Sequence, residues 1–152
     1  MKIQVMYHSL TGNTKKVAEA IALTAGVSAE AMMKNSRLSE PIDLLFIGDG
    51  IYAGRMNSKT RKFIEKLDGS LVKNAVVFGT YGGLDTAIIA MTELLKARGI
   101  SVCADRFSCK GQSWFFANRQ HPNKEDMELV HAFAARMIES VKSRCGVQQA
   151  MD

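Results

Sequence analysis

The chain is poor in the features that mark staple-held, metal-bound or membrane proteins. Its three cysteines, Cys103, Cys109 and Cys145, are odd in number and none sits in a Cys-x-x-Cys pair. Neither a disulfide framework nor a zinc or dithiol site is therefore expected. No apolar run approaches the roughly eighteen residues of a membrane span, and only Lys2 stands before the first apolar segment, with no separate small-residue cleavage site. The expectation is a soluble, cytoplasmic protein with no membrane partner. Two prolines, one tryptophan and no low-complexity tract or repeat leave no sign of a linker. A single domain over residues 1–145 with a short tail at 146–152 is expected. The net charge of +5 is scattered rather than gathered into a basic tail. No helix or sheet face interleaves aromatics with cations, so nucleic acid is not an expected partner. What remains, 152 residues with 47% apolar and 23% charged, is ample for one core.

The most informative stretch is IQVMYHSLTGNTKKVAEAIALTA, residues 3 to 25. An apolar run from Ile3 to Tyr7 breaks into a polar loop, then into a pattern with Val17, Ala18, Ile21 and Ala22 on one helical face. A strand, a loop and a helix start are predicted. Ser9, Leu10, Thr11, Gly12, Asn13 and Thr14 supply three hydroxyls, an amide and a glycine. The amides of a helix start lack intrahelical partners and lie at the positive end of the macrodipole, so the loop suits an oxyanion. A nucleoside triphosphate loop would close on Gly-Lys-Ser/Thr, and a dinucleotide fold would show three spaced glycines; neither is present. Hydroxyls without lysine suit one terminal monophosphate. The same residue types also make ordinary turns and helix caps, and the loop alone does not choose between the two.

Further along, Val27 to Lys34 is a weak strand candidate and Asp43 to Gly48 reads as a strand buried on both faces. A loop from Asp49 to Asn57 precedes a helix over about 58–67, closed by Asp68-Gly69, with Phe63, Ile64 and Leu67 inside. Asn74 to Gly79 is a third buried strand, followed by Thr80-Tyr81-Gly82-Gly83 and a helix over about 84–98 burying Ile88, Met91 and Leu95. Ile100 to Ser108 predicts another strand, 109–122 a long loop, and Asn123 with Asp126 the cap of a last helix to about Lys142. Strands alternating with helices imply right-handed crossovers and a parallel sheet covered on both faces, a doubly wound α/β domain of three layers. Ligands of such sheets lie beyond the carboxyl ends of the strands. There the loops 9–14, 49–57, 79–84 and 109–121 would converge, and these are the stretches richest in Gly, Tyr, Ser, Thr and Asn.

On these residues the chain resembles the flavodoxin family. Ser9-Leu-Thr-Gly-Asn-Thr14 is similar to its FMN phosphate loop, Ile51-Tyr-Ala-Gly-Arg55 to its first ring loop and Phe78-Gly-Thr-Tyr-Gly82 to its second. The resemblance implies a flavodoxin-like five-stranded sheet in the order 2-1-3-4-5 and FMN as cofactor. It implies that Ser9, Thr11, Asn13 and Thr14 bind phosphate, that the peptide at Ala53-Gly54 faces flavin N5, and that Thr80, Tyr81 and Gly82 border the ring. The chain departs from the family at Arg55, where relatives are often acidic near the flavin. It also departs at Gly83, where some relatives place tryptophan, and in the placement of Trp114 within the 109–118 loop.

Tyr52, Tyr81 and Trp114 are the candidates for stacking on a flavin. His8 reads as a hydrogen-bonded packing residue without a catalytic role, and His121 and His131 lack partners at metal spacing. Cys109 is either an inert thiol or one activated by Lys110. Arg61 and Lys62 read as a solvated helix face, with a docking patch as the alternative. The expected function is a monomeric FMN electron carrier without catalytic side chains, shuttling electrons to or from a redox partner protein with an acidic docking face. The alternative is a flavodoxin-fold NAD(P)H-dependent quinone or flavin reductase. A phosphoacceptor receiver would need an acidic pair after the first strand, and a low-molecular-weight phosphatase a cysteine in the first loop; both are missing.

Overall fold

Apolar side chains at nearly every position from Ile3 to Tyr7 suit a strand covered on both faces, and Ile3–His8 forms β1, buried from Val5 onward. The computed structural model describes residues 1–51, 54–81, 86–110 and 122–151. The chain continues through α1 (Asn13–Ala25), β2 (Ala29–Ala31), β3 (Ile42–Ile51), α2 (Ser58–Glu65), β4 (Val72–Tyr81) and α3 (Thr86–Ala97). It ends with β5 (Ser101–Val102), β6 (Phe107–Lys110) and α4 (Lys124–Met151). The strands are parallel in the order β2-β1-β3-β4-β5, with β6 also paired to β4. This is the doubly wound arrangement expected from the alternating pattern, in the strand order that the flavodoxin resemblance implies.

The two faces of the sheet carry separate apolar clusters. One joins α1 and α4 to Val5, Leu44, Phe46, Val76 and Phe78, and the other joins α2 and α3 to Met6, Leu45, Ile47, Ala75 and Val77. Residues adjacent along β3 and β4 thus point to opposite layers, as the period of two requires. At Gly48 an added Cβ would stand 2.1 Å from the Phe78 ring. The absence of a side chain there is what leaves room for the Phe78 ring of β4 against β3.

Several boundaries differ from the sequence reading. β3 runs to Ile51 and β4 to Tyr81, so Asp49, Thr80 and Tyr81 belong to strands rather than to loops. The predicted strand 100–108 is split into β5 and β6. Their register against β4 shifts by two residues across the interruption, and Phe107 returns to meet Phe133 of α4 with ring centroids 5.5 Å apart. The start of the expected 109–122 loop is therefore strand. Helix α2 stops at Glu65, and Asp68 instead holds its own turn by accepting from the amides of Ser70 and Leu71. Asn123 and Asp126 do cap α4, each side chain accepting from the other's amide at 2.9 and 2.8 Å. That helix continues to Met151, past Lys142 and through most of the residues set apart as a tail. No helix among the described residues is long and apolar enough to cross a membrane.

Candidate cofactor site

Among the described residues, the buried polar and charged side chains are His8, Asn13, Thr14, Asp49, Thr60 and Thr80. All six lie at the carboxyl ends of β1, β3 and β4 or in the first turns of α1 and α2. Burying polar groups is costly unless they are satisfied, so their gathering at one end of an otherwise apolar sheet marks that end as the functional one.

The first loop leaves β1 and turns sharply into α1. Ser9 Oγ accepts from the Gly12 amide at 3.0 Å, closing the turn. Gly12 has φ +88° and open space where a Cβ would stand, so backbone conformation rather than crowding requires glycine. Gly12 is the residue ahead of the helix, and no side chain caps it. The choice left open by the sequence falls against an ordinary side-chain cap. The first intrahelical bond runs from the Lys16 amide to the Gly12 carbonyl at 3.1 Å. The amides of Asn13, Thr14 and Lys15 before it are the helix-start donors that suit an anion.

Leu10 and Thr11 are exposed, Ser9 is half-buried, and Asn13 and Thr14 are buried. Thr14 Oγ1 lies 2.7 Å from Thr80 Oγ1. That bond joins the phosphate loop to the end of β4, so two candidates expected to touch different parts of a ligand touch each other. A hydroxyl has one hydrogen. Whichever threonine donates, the pair keeps one hydrogen for another acceptor.

Beneath the loop, His8 and Asp49 are direct neighbours in the β1–β3 register, with His8 Nδ1 3.0 Å from Asp49 Oδ1. The other carboxylate oxygen accepts from the Asn57 amide at 2.7 Å. Asn57 caps α2, its side chain accepting from the Lys59 amide at 2.9 Å. Burial pushes the Asp49 carboxyl above its ordinary value, and the Asn57 amide and His8 oppose that rise. The Thr60 hydroxyl is buried without a hydrogen-bond partner among the described residues. On the ring side, Gly54 has φ +70° and its carbonyl accepts from the Thr86 hydroxyl at 2.7 Å, tying this segment to the start of α3. Arg55 beside it is exposed.

Of the sequence candidates, the structure thus gathers Ser9, Gly12, Asn13, Thr14 and Thr80 at the ends of β1 and β4, with Gly54 and Arg55 just beyond the end of β3. Tyr52, Ala53, Gly82, Gly83, Trp114 and His121 lie outside the described residues, as do the side chains of Tyr81, Cys109 and Lys110. His131 is a structural residue, its Nδ1 2.8 Å from Thr24 Oγ1 across α1 and α4. No group of three or more potential metal ligands occurs among the described residues. Asp49, Asn57, Thr60 and Thr86 do not stand out in the sequence. The available signal for Asp49 was a carboxylate ending an otherwise apolar strand.

The arrangement fits a phosphate monoester held by neutral donors. Its anion-facing groups are helix-start amides and hydroxyls, and the buried ionisable groups beneath, His8 and Asp49, are paired with each other rather than left to bind charge. Comparisons with known proteins agree. The family described as flavodoxin domain matches residues 4–101. An uncharacterized protein of Methanocaldococcus jannaschii is 29% identical over 92% of this chain and 100% of its own length. A flavodoxin structure from the domain Archaea superposes with TM-score 0.74 at 23% identity, covering 93% of this chain and 99% of that one. Flavodoxin 1 of Bacillus cereus does so with TM-score 0.73 at 22% identity, covering 91% and 98%. By its matched sequence, sheet order and anion-suited first loop, this chain belongs to the flavodoxin family and is an FMN-binding electron-transfer flavoprotein.

Proposed function

We propose that the protein is a monomeric, cytoplasmic electron carrier that passes electrons between partner proteins and has no catalytic side chain of its own. The carrying observation is the pairing of His8 with Asp49 and of Thr14 with Thr80 at the site. These bonds occupy four of the six described buried polar side chains with one another and leave the described part of the site to bind and orient rather than to move protons on a substrate. FMN supplies the electron chemistry, and the chain supplies a phosphate cradle, a ring-side segment and an electrostatic rim. Ser9, Thr11, Asn13 and Thr14 would hold the phosphate, through helix-start amides as much as through hydroxyls. The segment 52–55 and residues 80–83, with Trp114, would surround the ring.

The rim favours a partner with an acidic face. Arg55, Lys59, Arg61 and Lys62 follow one another from the ring-side segment into α2, are exposed, and form no ion pair among the described residues. Opposite charge accelerates encounter and is screened beyond a Debye length of about 8 Å at physiological salt. Electron transfer to the partner should slow as salt rises. Reversing Lys59 and Lys62 to glutamate should slow stopped-flow reduction and remove most of its salt dependence at unchanged FMN affinity. A faster reaction in that variant would move the docking face elsewhere.

The deciding experiment is cofactor loading. The purified protein should be yellow, or take up FMN on titration, and should bind riboflavin much more weakly. Sustained turnover of NADPH with a quinone would instead establish the reductase.

A further inference from the structure

Asp49 is more than a partner for a buried histidine. Its two carboxylate oxygens reach in different directions, Oδ1 to His8 at the end of β1 and Oδ2 to the amide of Asn57 at the start of α2. His8 is the residue immediately before the phosphate loop, and Asn57 closes the segment that holds Gly54 and Arg55. One fully buried carboxylate therefore joins the phosphate side of the site to its ring side by two bonds. Of the remaining described connections, Ser9 closes its own loop and Thr86 ties Gly54 to α3, while Thr14 joins the first loop to Thr80 at the end of β4 and leaves the 54–57 segment untouched.

The bonding is directional. A backbone amide can only donate, so Oδ2 must accept, and whatever hydrogen lies between Oδ1 and His8 Nδ1 is left to that pair. Among the described residues, the titratable group against Asp49 is His8. The cations of α2, Lys59, Arg61 and Lys62, are exposed, and α1 faces this region with the neutral Asn13 and Thr14. A buried, desolvated carboxylate is an expensive component, and burial pushes its carboxyl above the ordinary value. Stability alone gives little reason for an acid here.

We propose that Asp49 is a positioning residue for the cofactor, a clasp that sets the separation between the phosphate loop and the 54–57 segment so that one ligand can engage both. The inference rests on the FMN reading. A ligand that spans two subsites gains from their fixed separation, because its second contact is made at high effective concentration. A ligand that touches only one subsite gains nothing from it. Loss of the clasp should therefore penalise FMN and spare its parts.

The test compares three ligands, FMN, riboflavin and inorganic phosphate, by titration of the FMN-free protein. Asp49→Ala removes both bonds and should weaken FMN about tenfold or more, while riboflavin and phosphate change by no more than about twofold. Asp49→Asn can still accept from Asn57 with its oxygen and donate to His8 with its nitrogen, so it should recover most of the FMN affinity. A second pair of variants acts from the other end. Asn57 has φ −66°, which proline adopts, so Asn57→Pro deletes the donating amide, whereas Asn57→Ala loses the same side-chain cap but keeps the amide. FMN should bind the proline variant about tenfold more weakly than the alanine variant, and this comparison decides the matter if Asp49→Ala does not fold. Equal weakening of all three ligands would make Asp49 a general structural residue and overturn the proposal. Unchanged FMN affinity in Asp49→Ala and Asn57→Pro would also overturn it. A wild-type protein that binds FMN no better than riboflavin would fail at the loading step, before any variant is made, and would overturn the underlying reading together with the clasp.

Discussion

β3 carries an aspartate near each end, and the two behave oppositely. Asp43, at the amino end, accepts from the Lys2 amide at 2.7 Å and from Lys73 Nζ at 2.9 Å, and Lys73 is itself 64% exposed. These partners hold its carboxyl below the ordinary value. Asp49, at the carboxyl end, is fully buried between His8 and Asn57, and burial holds it above. Both stitch β3 to neighbouring elements, but the first does so in water and the second in the dry end of the sheet. The same residue type is thus a surface fastening at one end and a costly buried component at the other. Only the costly one adjoins the cofactor site.

Removing the fastenings should separate the two ends by size. Asp49→Ala leaves the Asn57 amide and His8 without a partner in a buried setting, and unsatisfied buried groups cost about 1 to 3 kcal/mol each. Denaturant unfolding of the FMN-free protein should therefore show a loss of about 2 to 5 kcal/mol. A loss no larger than that of Asp43→Ala would erase the contrast between the ends.

The phosphate loop provides the next effect. Thr11→Ala with Thr14→Ala should weaken FMN by an order of magnitude or more, since a hydrogen bond to a charged group is worth about 1.5 to 3 kcal/mol. Because Thr14 also bonds Thr80, this variant should loosen the end of β4 against α1 as well. Unchanged FMN affinity by fluorescence titration would place the phosphate elsewhere.

Arg55 tests the ring side of the same end. A cation within several ångströms of added negative charge favours it by about 1 to 2 kcal/mol at an effective dielectric of about 20. Arg55→Glu should lower the potential for the second electron by several tens of millivolts, measured by spectroelectrochemical titration. An unchanged or raised potential would remove Arg55 from the flavin's surroundings.

The smallest effect is at the amino end, where Asp43→Asn should cost under about 1 kcal/mol because the Lys73 pair is largely solvated. Its value lies in the pH slope. Asp43 is lowered in the fold from an ordinary 3.8, so its contribution is present above that value and is lost as pH falls through the folded one. Asp49 is raised from 3.8, so its contribution is present below that value and is lost as pH rises through the folded one. Relative to wild type, Asp43→Asn should lose stability near neutrality and converge at acid pH. Asp49→Asn should gain relative stability as pH climbs above the ordinary carboxyl value. Parallel slopes in unfolding measurements from about pH 3 to 7 would show that the two environments do not differ as the structure has them.

The parallel strands and the first loop were legible because each rests on local pattern, whereas the strand order came from the family resemblance. Apolar runs buried on both faces announce parallel strands, and a glycine at a helix start among hydroxyls offers either an anion site or an ordinary cap, a choice that the loop's own sequence leaves open. The apolar faces named from periodicity, Val17 with Ile21 in α1, Phe63 with Ile64 in α2, and Ile88 with Met91 and Leu95 in α3, are buried for the same reason. Element ends were less legible. The splitting of β5 from β6 depends on Phe107 finding Phe133 in α4, and no periodicity along residues 100–108 records that meeting.

Three features belong to tertiary structure alone. The pairing of His8 with Asp49 joins residues 41 apart, and the pairing of Thr14 with Thr80 joins residues 66 apart. The third is the opposite direction in which their surroundings push the carboxyls of the two aspartates of β3. In the sequence Asp43 stands between Ile42 and Leu44 and Asp49 between Gly48 and Gly50, and neither setting records how far the carboxylate will lie from water. Their difference arises when the sheet stacks its neighbours, leaving one end open to water and closing the other under the loops. Local pattern determined which segments become strands and helices, because backbone geometry and burial period act over a few residues. Register and layer packing decided which polar groups meet and how far from water, because desolvation is a property of everything that surrounds a group.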